Sequence, residues 1–171
     1  MTQAQSECNI PLSRLLAGAA KAIAGVRYCW LLTGTETDWL SARPMGRLQS
    51  DLEQDDWRFR LVADGRSRKA RELRRTGRAA AVIQSGDEAF VTLTGIPTLH
   101  ADVGVARQLL KKSFEVYFPS EEDRAHAAVI EIDTRRMDLW IRGVTPEPFG
   151  MQPVRLERDV ARRWQLIPHE A

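Results

Sequence analysis

The sequence predicts a mostly β protein with flanking helices (α+β), built around a small barrel of about six antiparallel strands. Three observations carry this reading. Short apolar segments with period-two alternation recur through the middle of the chain. Strong turn signals separate them, above all Ser85-Gly86-Asp87-Glu88. Successive hairpins would also leave exposed strand edges, and closure into a barrel removes them.

The elements follow in order. From Pro11 the residues Leu12, Leu15, Leu16, Ala19 and Ile23 recur at helical spacing, Pro11 suits the first turn, and Gly25 ends the helix. Tyr28 to Thr33 is a dense apolar and aromatic run closed by Gly34, which reads as a buried strand with Trp39 to Met45 as its hairpin partner. Trp57, Phe59 and Leu61 alternate with Arg58 and Arg60, the pattern of a strand with one wet face. After Asp64-Gly65 a short helix is expected from Ser67 to Arg75, with Gly77 at its C-terminal end. Strands are expected from Ala79 to Gln84 and from Ala89 to Gly95.

Asp102 is placed to cap a helix reaching about Tyr117, and Pro119 to Asp123 reads as a loop. A last hairpin is expected to pair Ala127 to Ile132 with Met137 to Ile141. Pro146, Pro148 and Pro153 predict an extended linker, and Arg155 to Trp164 a short helix. The chain thus divides into a flexible tail (1–10), a barrel domain (11–145) and a C-terminal extension (146–171).

Composition removes several function classes. The 25 basic and 23 acidic residues of the 171 nearly cancel, leaving a formal charge of +2. That balance argues against a protein that coats nucleic acid or an anionic membrane. Cys8 and Cys29 lie in dissimilar surroundings, one polar and one apolar, and read as free thiols of a cytoplasmic protein. The apolar stretch from Leu12 to Val26 is interrupted by Arg14 and Lys21 and is too short to span a bilayer. His100, His126 and His169 lie far apart without Cys or Glu at ligand spacing, so no metal site is expected. There is no nucleophile elbow, phosphate-binding P-loop or dinucleotide fingerprint.

The segment that carries chemistry is Ala63-Asp64-Gly65-Arg66-Ser67-Arg68-Lys69. It follows a strand and opens a helix, whose first turn offers unpaired N–H groups and a partial positive charge. Ser67 adds a hydroxyl, Lys69 a point charge and Arg68 a fork of donors suited to phosphate oxygens. An ordinary helix capped by Ser67 would explain part of this. It would not explain Arg68 and Lys69, because cations are disfavoured at a helix start unless an anion is near. The wider basic run of Arg66, Arg68, Lys69, Arg71, Arg74, Arg75 and Arg78 contains Glu72 as its single acid. Nucleic-acid contact is the rival reading of that run. A solvated helix face with Ala70 and Leu73 inward is the plainer one.

From Pro11 to Trp140 the chain resembles the pyridoxamine 5′-phosphate oxidase-like FMN-binding split barrels, and within them the general stress protein 26 branch. The resemblance rests on Arg43-Pro44-Met45, Ser67-Arg68-Lys69, Val91-Thr92-Leu93-Thr94-Gly95, Tyr117-Phe118-Pro119 and Leu139-Trp140, in that order. It implies that Ser67, Arg68 and Lys69 hold the FMN phosphate and that Val62 and Ala63 offer backbone along the ribityl chain. It further implies that Arg43, Pro44 and Met45 line the flavin ring, with Arg43 turned toward it. Trp140 would pack near that ring from the other subunit of a homodimer with the cofactor in its interface.

Two departures stand out: Ala63 replaces a Thr of the family, and Phe90 replaces a Gln of the true oxidases. The paired Arg and His residues that oxidation of pyridoxamine phosphate needs have no counterpart in the tail. The resemblance therefore implies either an FMN-dependent oxidoreductase of unknown substrate or a non-catalytic flavin-binding stress-response module. FAD, the deazaflavin F420 or haem in the same groove stay open as alternatives.

Overall fold

Each strand's alternation turns one face inward, and the strands meet that pattern by closing on themselves. The computed structural model describes residues 10–101 and 117–168. Its elements are α1 (Leu12–Ala24), β1 (Tyr28–Gly34), β2 (Leu40–Leu48), β3 (Arg58–Asp64), α2 (Arg68–Thr76), β4 (Ala79–Gln84), β5 (Ala89–His100), α3 (Glu121–Ala125), β6 (Ala127–Ile141), β7 (Val154–Arg158) and β8 (Trp164–Ile167). The strands lie in the order β3-β2-β1-β4-β5-β6-β7-β8, and a further β3–β6 pairing closes the first six into an antiparallel barrel. The expected fold class is the one observed.

Inward residues such as Leu31, Phe59, Leu61, Leu93, Ile130 and Leu139 are fully buried and form one core. The amphipathic α1 adds Leu15, Ala19 and Ile23 to it. Arg47 reaches back to accept no charge partner but to donate to the Ile23 and Val26 carbonyls at 2.6 and 3.1 Å, satisfying oxygens around the end of α1. Beside it the Cys29 thiol is pushed up to about 12 by burial, so it is an inert core side chain.

Four expectations need correction. The last hairpin is one continuous strand, β6, because Asp133-Thr134-Arg135-Arg136 lacks the Gly or Asn that a tight hairpin turn needs. Instead the register shifts there: Gly95 pairs with Thr134 and Thr94 with Arg136, which leaves Arg135 as the extra residue of a bulge. Gly95 is required opposite it, since a Cβ would collide with the Asp133 carbonyl. The segment from Arg155 to Trp164 is not a helix but the β7–β8 hairpin. β3 covers only the Ala127–Asp133 half of one β6 edge, and β7 pairs with Arg136 to Leu139 on the remainder. The loop at Pro119 to Asp123 contains the start of α3, closed by a capping box between Ser120 and Asp123. Finally, Glu72 joins Ala70 and Leu73 on the buried side of α2. The helix expected from Asp102 falls outside the described residues.

Candidate functional site

The pairing between β2 and β3 is short. Arg47 lies opposite Leu61 and Leu48 opposite Arg60, and there the ladder stops. Continued in register, it would set Met45 opposite Ala63 and Arg43 opposite Gly65. Instead the strands part, β3 staying with β6 as far as Asp64 and β2 with β1 as far as Leu40. The barrel is therefore split between β2 and β3, and three residues separate the end of β3 from the start of α2. Arg43, Pro44 and Met45 line one side of the split, and Val62 and Ala63 lead along the other.

Local chemistry explains why the strands tolerate this. The Arg47 N–H bonds to the Arg27 carbonyl, and by antiparallel alternation Met45 and Arg43 face β1 in the same way. Pro44, which has no N–H, thus turns its backbone to the open side, where no ladder bond is lost. Met45 and Ala63 send their side chains into the core, so only their backbone faces the split. Val62 packs on the outer side against Leu48, Phe118, Ala127 and Val129. Phe118 of the Tyr117-Phe118-Pro119 stretch is in this way a support for β3.

At the end of the split lies the start of α2. Ser67 is the N-cap residue, yet its hydroxyl does not cap: it donates to the Asp64 carbonyl at 2.6 Å. The first bond of the helix runs from the Arg71 N–H to the Ser67 carbonyl, so the N–H groups of Arg68, Lys69 and Ala70 have no intrahelical acceptor. Arg68 donates to Ser41 at 3.1 Å and pairs with Glu72 at 3.3 Å. Arg43 does not reach into the split; it donates to Thr33 and pairs with Glu72 at 3.0 Å. Lys69 is half-buried and makes no hydrogen bond or ion pair among the described residues. Burial, and then the nearby Arg43 charge, lower its pKa below the ordinary lysine value, with Asp64 opposing.

Arg66, Arg71, Arg74 and Arg75 of the basic run are otherwise engaged. Arg66 pairs with Asp64 at 2.8 Å and with Asp123 at 3.4 Å. Arg71 and Arg74 donate to the Arg66 and Gly65 carbonyls, and Arg75 to the Thr35 carbonyl. These contacts brace the turn before α2. Sequence reasoning found the cations but missed Glu72, Thr33 and Ser41 as their partners. A lone acid four residues after Arg68 was the available signal.

Trp140 is not brought to this cluster. It pairs with Phe90 in the half of β6 beside β7, whereas the split adjoins the half beside β3. Phe90 in turn stacks on Phe149, with ring centroids 6.4 Å apart.

A barrel opened between two strands, with a cationic helix start at the opening, defines a split barrel, and the comparisons agree on that fold. The family model described as pyridoxamine 5′-phosphate oxidase like matches residues 17–147, and the chain belongs to that family. Among solved structures it is similar to a Clostridium acetobutylicum protein related to general stress protein 26 of B. subtilis, at 14% identity and a TM-score of 0.70, covering 84% of this chain and 94% of that one. A pyridoxamine 5′-phosphate oxidase-related, FMN-binding protein of Nostoc punctiforme matches at 14% identity and a TM-score of 0.66, covering 94% and 96%. PhzG of Burkholderia lata, solved with tetrahydrophenazine-1-carboxylic acid, matches at 17% and 0.62, covering 94% and 90%. No curated protein is significantly similar in sequence. No helix among the described residues is long and apolar enough to cross a membrane.

Proposed function

We propose that the protein binds FMN in the β2–β3 split, with the phosphate on Ser67, Arg68 and Lys69, and acts as a flavin-dependent oxidoreductase. The observation that carries this is the Lys69 ammonium: part-buried, without a hydrogen bond or ion pair among the described residues, near the Arg43 charge at a helix start whose N–H groups are open. Such a group is destabilised until an anion arrives, and a phosphate monoester supplies charge and several acceptors at once. Val62 and Ala63 offer backbone along the ribityl chain, and Arg43-Pro44-Met45 form the wall for the ring. The bound flavin would supply the electron transfer, and the protein its orientation and electrostatics.

The functional unit in this reading is a homodimer. Tyr28 and Trp30 leave 47% and 53% of their surface exposed on β1, and Trp30 lies directly opposite Pro44. A second copy covering this face would bury them and bring its Trp140 toward the ring. The test is to purify the protein, record its absorption spectrum, and titrate it with FMN, FAD, F420 and haem. Flavin absorbance that follows added FMN with micromolar or tighter affinity is the expected result. A colourless protein that takes up no FMN overturns the reading, and saturable uptake of another ligand alone replaces it.

A further inference from the structure

We infer that Glu72 is a positioning residue for the phosphate cradle, resting on the flavin reading above for its ligand but on the ion-pair geometry for its role. Its carboxylate is buried, with only 5% of the side chain exposed, and it is divided between two cations. Oε2 accepts from the Thr33 hydroxyl at 2.6 Å and from Arg43 Nη2 at 3.0 Å, while Oε1 pairs with Arg68 Nε at 3.3 Å. The Thr33 hydroxyl closes the arrangement by accepting from Arg43 while it donates to Glu72. Thr33 itself is 1% exposed, so neither member of the clamp reaches solvent.

The clamp has a directional consequence. Without Glu72, three long cationic side chains around one helix start would repel one another and spread into water. With it, Arg43 is held to Glu72 and Arg68 is turned across to Ser41, while Lys69 has no hydrogen bond or ion pair among the described residues. One acid against three cations leaves a net charge of two, matched to a phosphate dianion. The buried carboxylate is thus a strut that spaces the donors. It is not itself a ligand contact.

The test uses the full chain, its Glu72→Gln variant and three probes: FMN, riboflavin and inorganic phosphate. Glutamine keeps the volume but offers one neutral acceptor in place of two charged ones. FMN and phosphate are expected to bind about tenfold more weakly, and riboflavin as before. Thr33→Val should shift the FMN-to-riboflavin ratio in the same direction by a smaller factor. Equal or tighter phosphate and FMN binding by Glu72→Gln, as a plain counter-charge would give, overturns the inference. So does an equal loss for FMN and riboflavin. If Glu72→Gln does not fold, an unchanged ratio in Thr33→Val overturns it alone. Wild-type protein that binds phosphate but not FMN sinks the flavin reading and leaves Glu72 to be judged on phosphate. Wild-type protein that binds neither sinks both.

Discussion

Two arginine clusters in this molecule look alike in sequence and differ in their charge accounts. At the β7–β8 hairpin, Arg158 and Arg162 meet Asp56 and Asp133. Arg162 pairs with Asp56 at 2.6 Å and with Asp133 at 2.9 Å, and Arg158 pairs with Asp133 at 3.5 Å and more closely with Asp56. Every charge there has an opposite partner. The clasp holds Asp56 and Trp57 at φ of 54° and 59°, a left-handed pair that non-glycine residues rarely adopt and that costs free energy. It also seats Trp164 edge-on against Trp57, with centroids 5.9 Å apart. At the start of α2, by contrast, Arg43 and Arg68 share Glu72, and Lys69 makes no hydrogen bond or ion pair among the described residues. Charges that are mutually satisfied hold a fold together. A half-buried cation with no partner among the described residues is, in the proposed reading, available to an anionic ligand.

The comparison breaks most visibly at Arg158, whose side chain is 1% exposed. Arg158→Met leaves Asp56 with Arg162 alone and Asp133 with Arg162 and Arg135, and denaturant unfolding should show a loss of about 3 kcal/mol, the low end for a broken buried pair. The ratio of FMN to riboflavin affinity should not move. The cradle is expected to respond in the opposite sense. Ser67→Ala with Lys69→Ala should weaken FMN by about 10- to 100-fold, the scale of one charge-assisted hydrogen bond plus a neutral one. Riboflavin, which has no phosphate, should bind as before, and stability should fall by about 1 kcal/mol, from the lost Ser67 hydroxyl bond to the Asp64 carbonyl, since Lys69 supports no contact among the described residues. Equal loss for both ligands would show that these residues do not touch the phosphate.

How much of this was legible depended on how local the cause was. β1 to β5 were readable because alternation and turn residues lie within each segment, and the start of α2 at Ser67-Arg68-Lys69 because its signals are contiguous. The tail was misread because Arg155-Leu156-Glu157-Arg158 has no turn or strand signal strong enough by itself. It becomes a strand only because β6 has an uncovered edge, a fact written more than fifteen residues away. The polar run Asp133 to Arg136 looked like a turn and is a bulge, decided by Gly95 on the neighbouring strand. Glu72 was visible as a lone acid. Its role was not, since Thr33 and Arg43 are brought to it by the barrel and not by sequence spacing.

The smallest expected effect is also the most specific to Lys69. Its pKa in the folded chain is lowered from 10.5, chiefly by burial. Between that lowered value and 10.5 the unfolded chain therefore holds more protons than the folded one, and stability from this group rises with pH. Phosphate binding runs the other way, because it needs the ammonium, and affinity should fall as pH climbs through the lowered value. Lys69→Met isolates it. At neutral pH the variant should be slightly the more stable of the two, and the gap should close as pH approaches 10.5, followed by thermal unfolding of the ligand-free protein. Its FMN affinity should be lower than wild type at neutral pH and flatter above it. A wild-type protein whose FMN affinity and stability both fell in parallel with pH would place Lys69 among the paired charges of the fold, with the clasp.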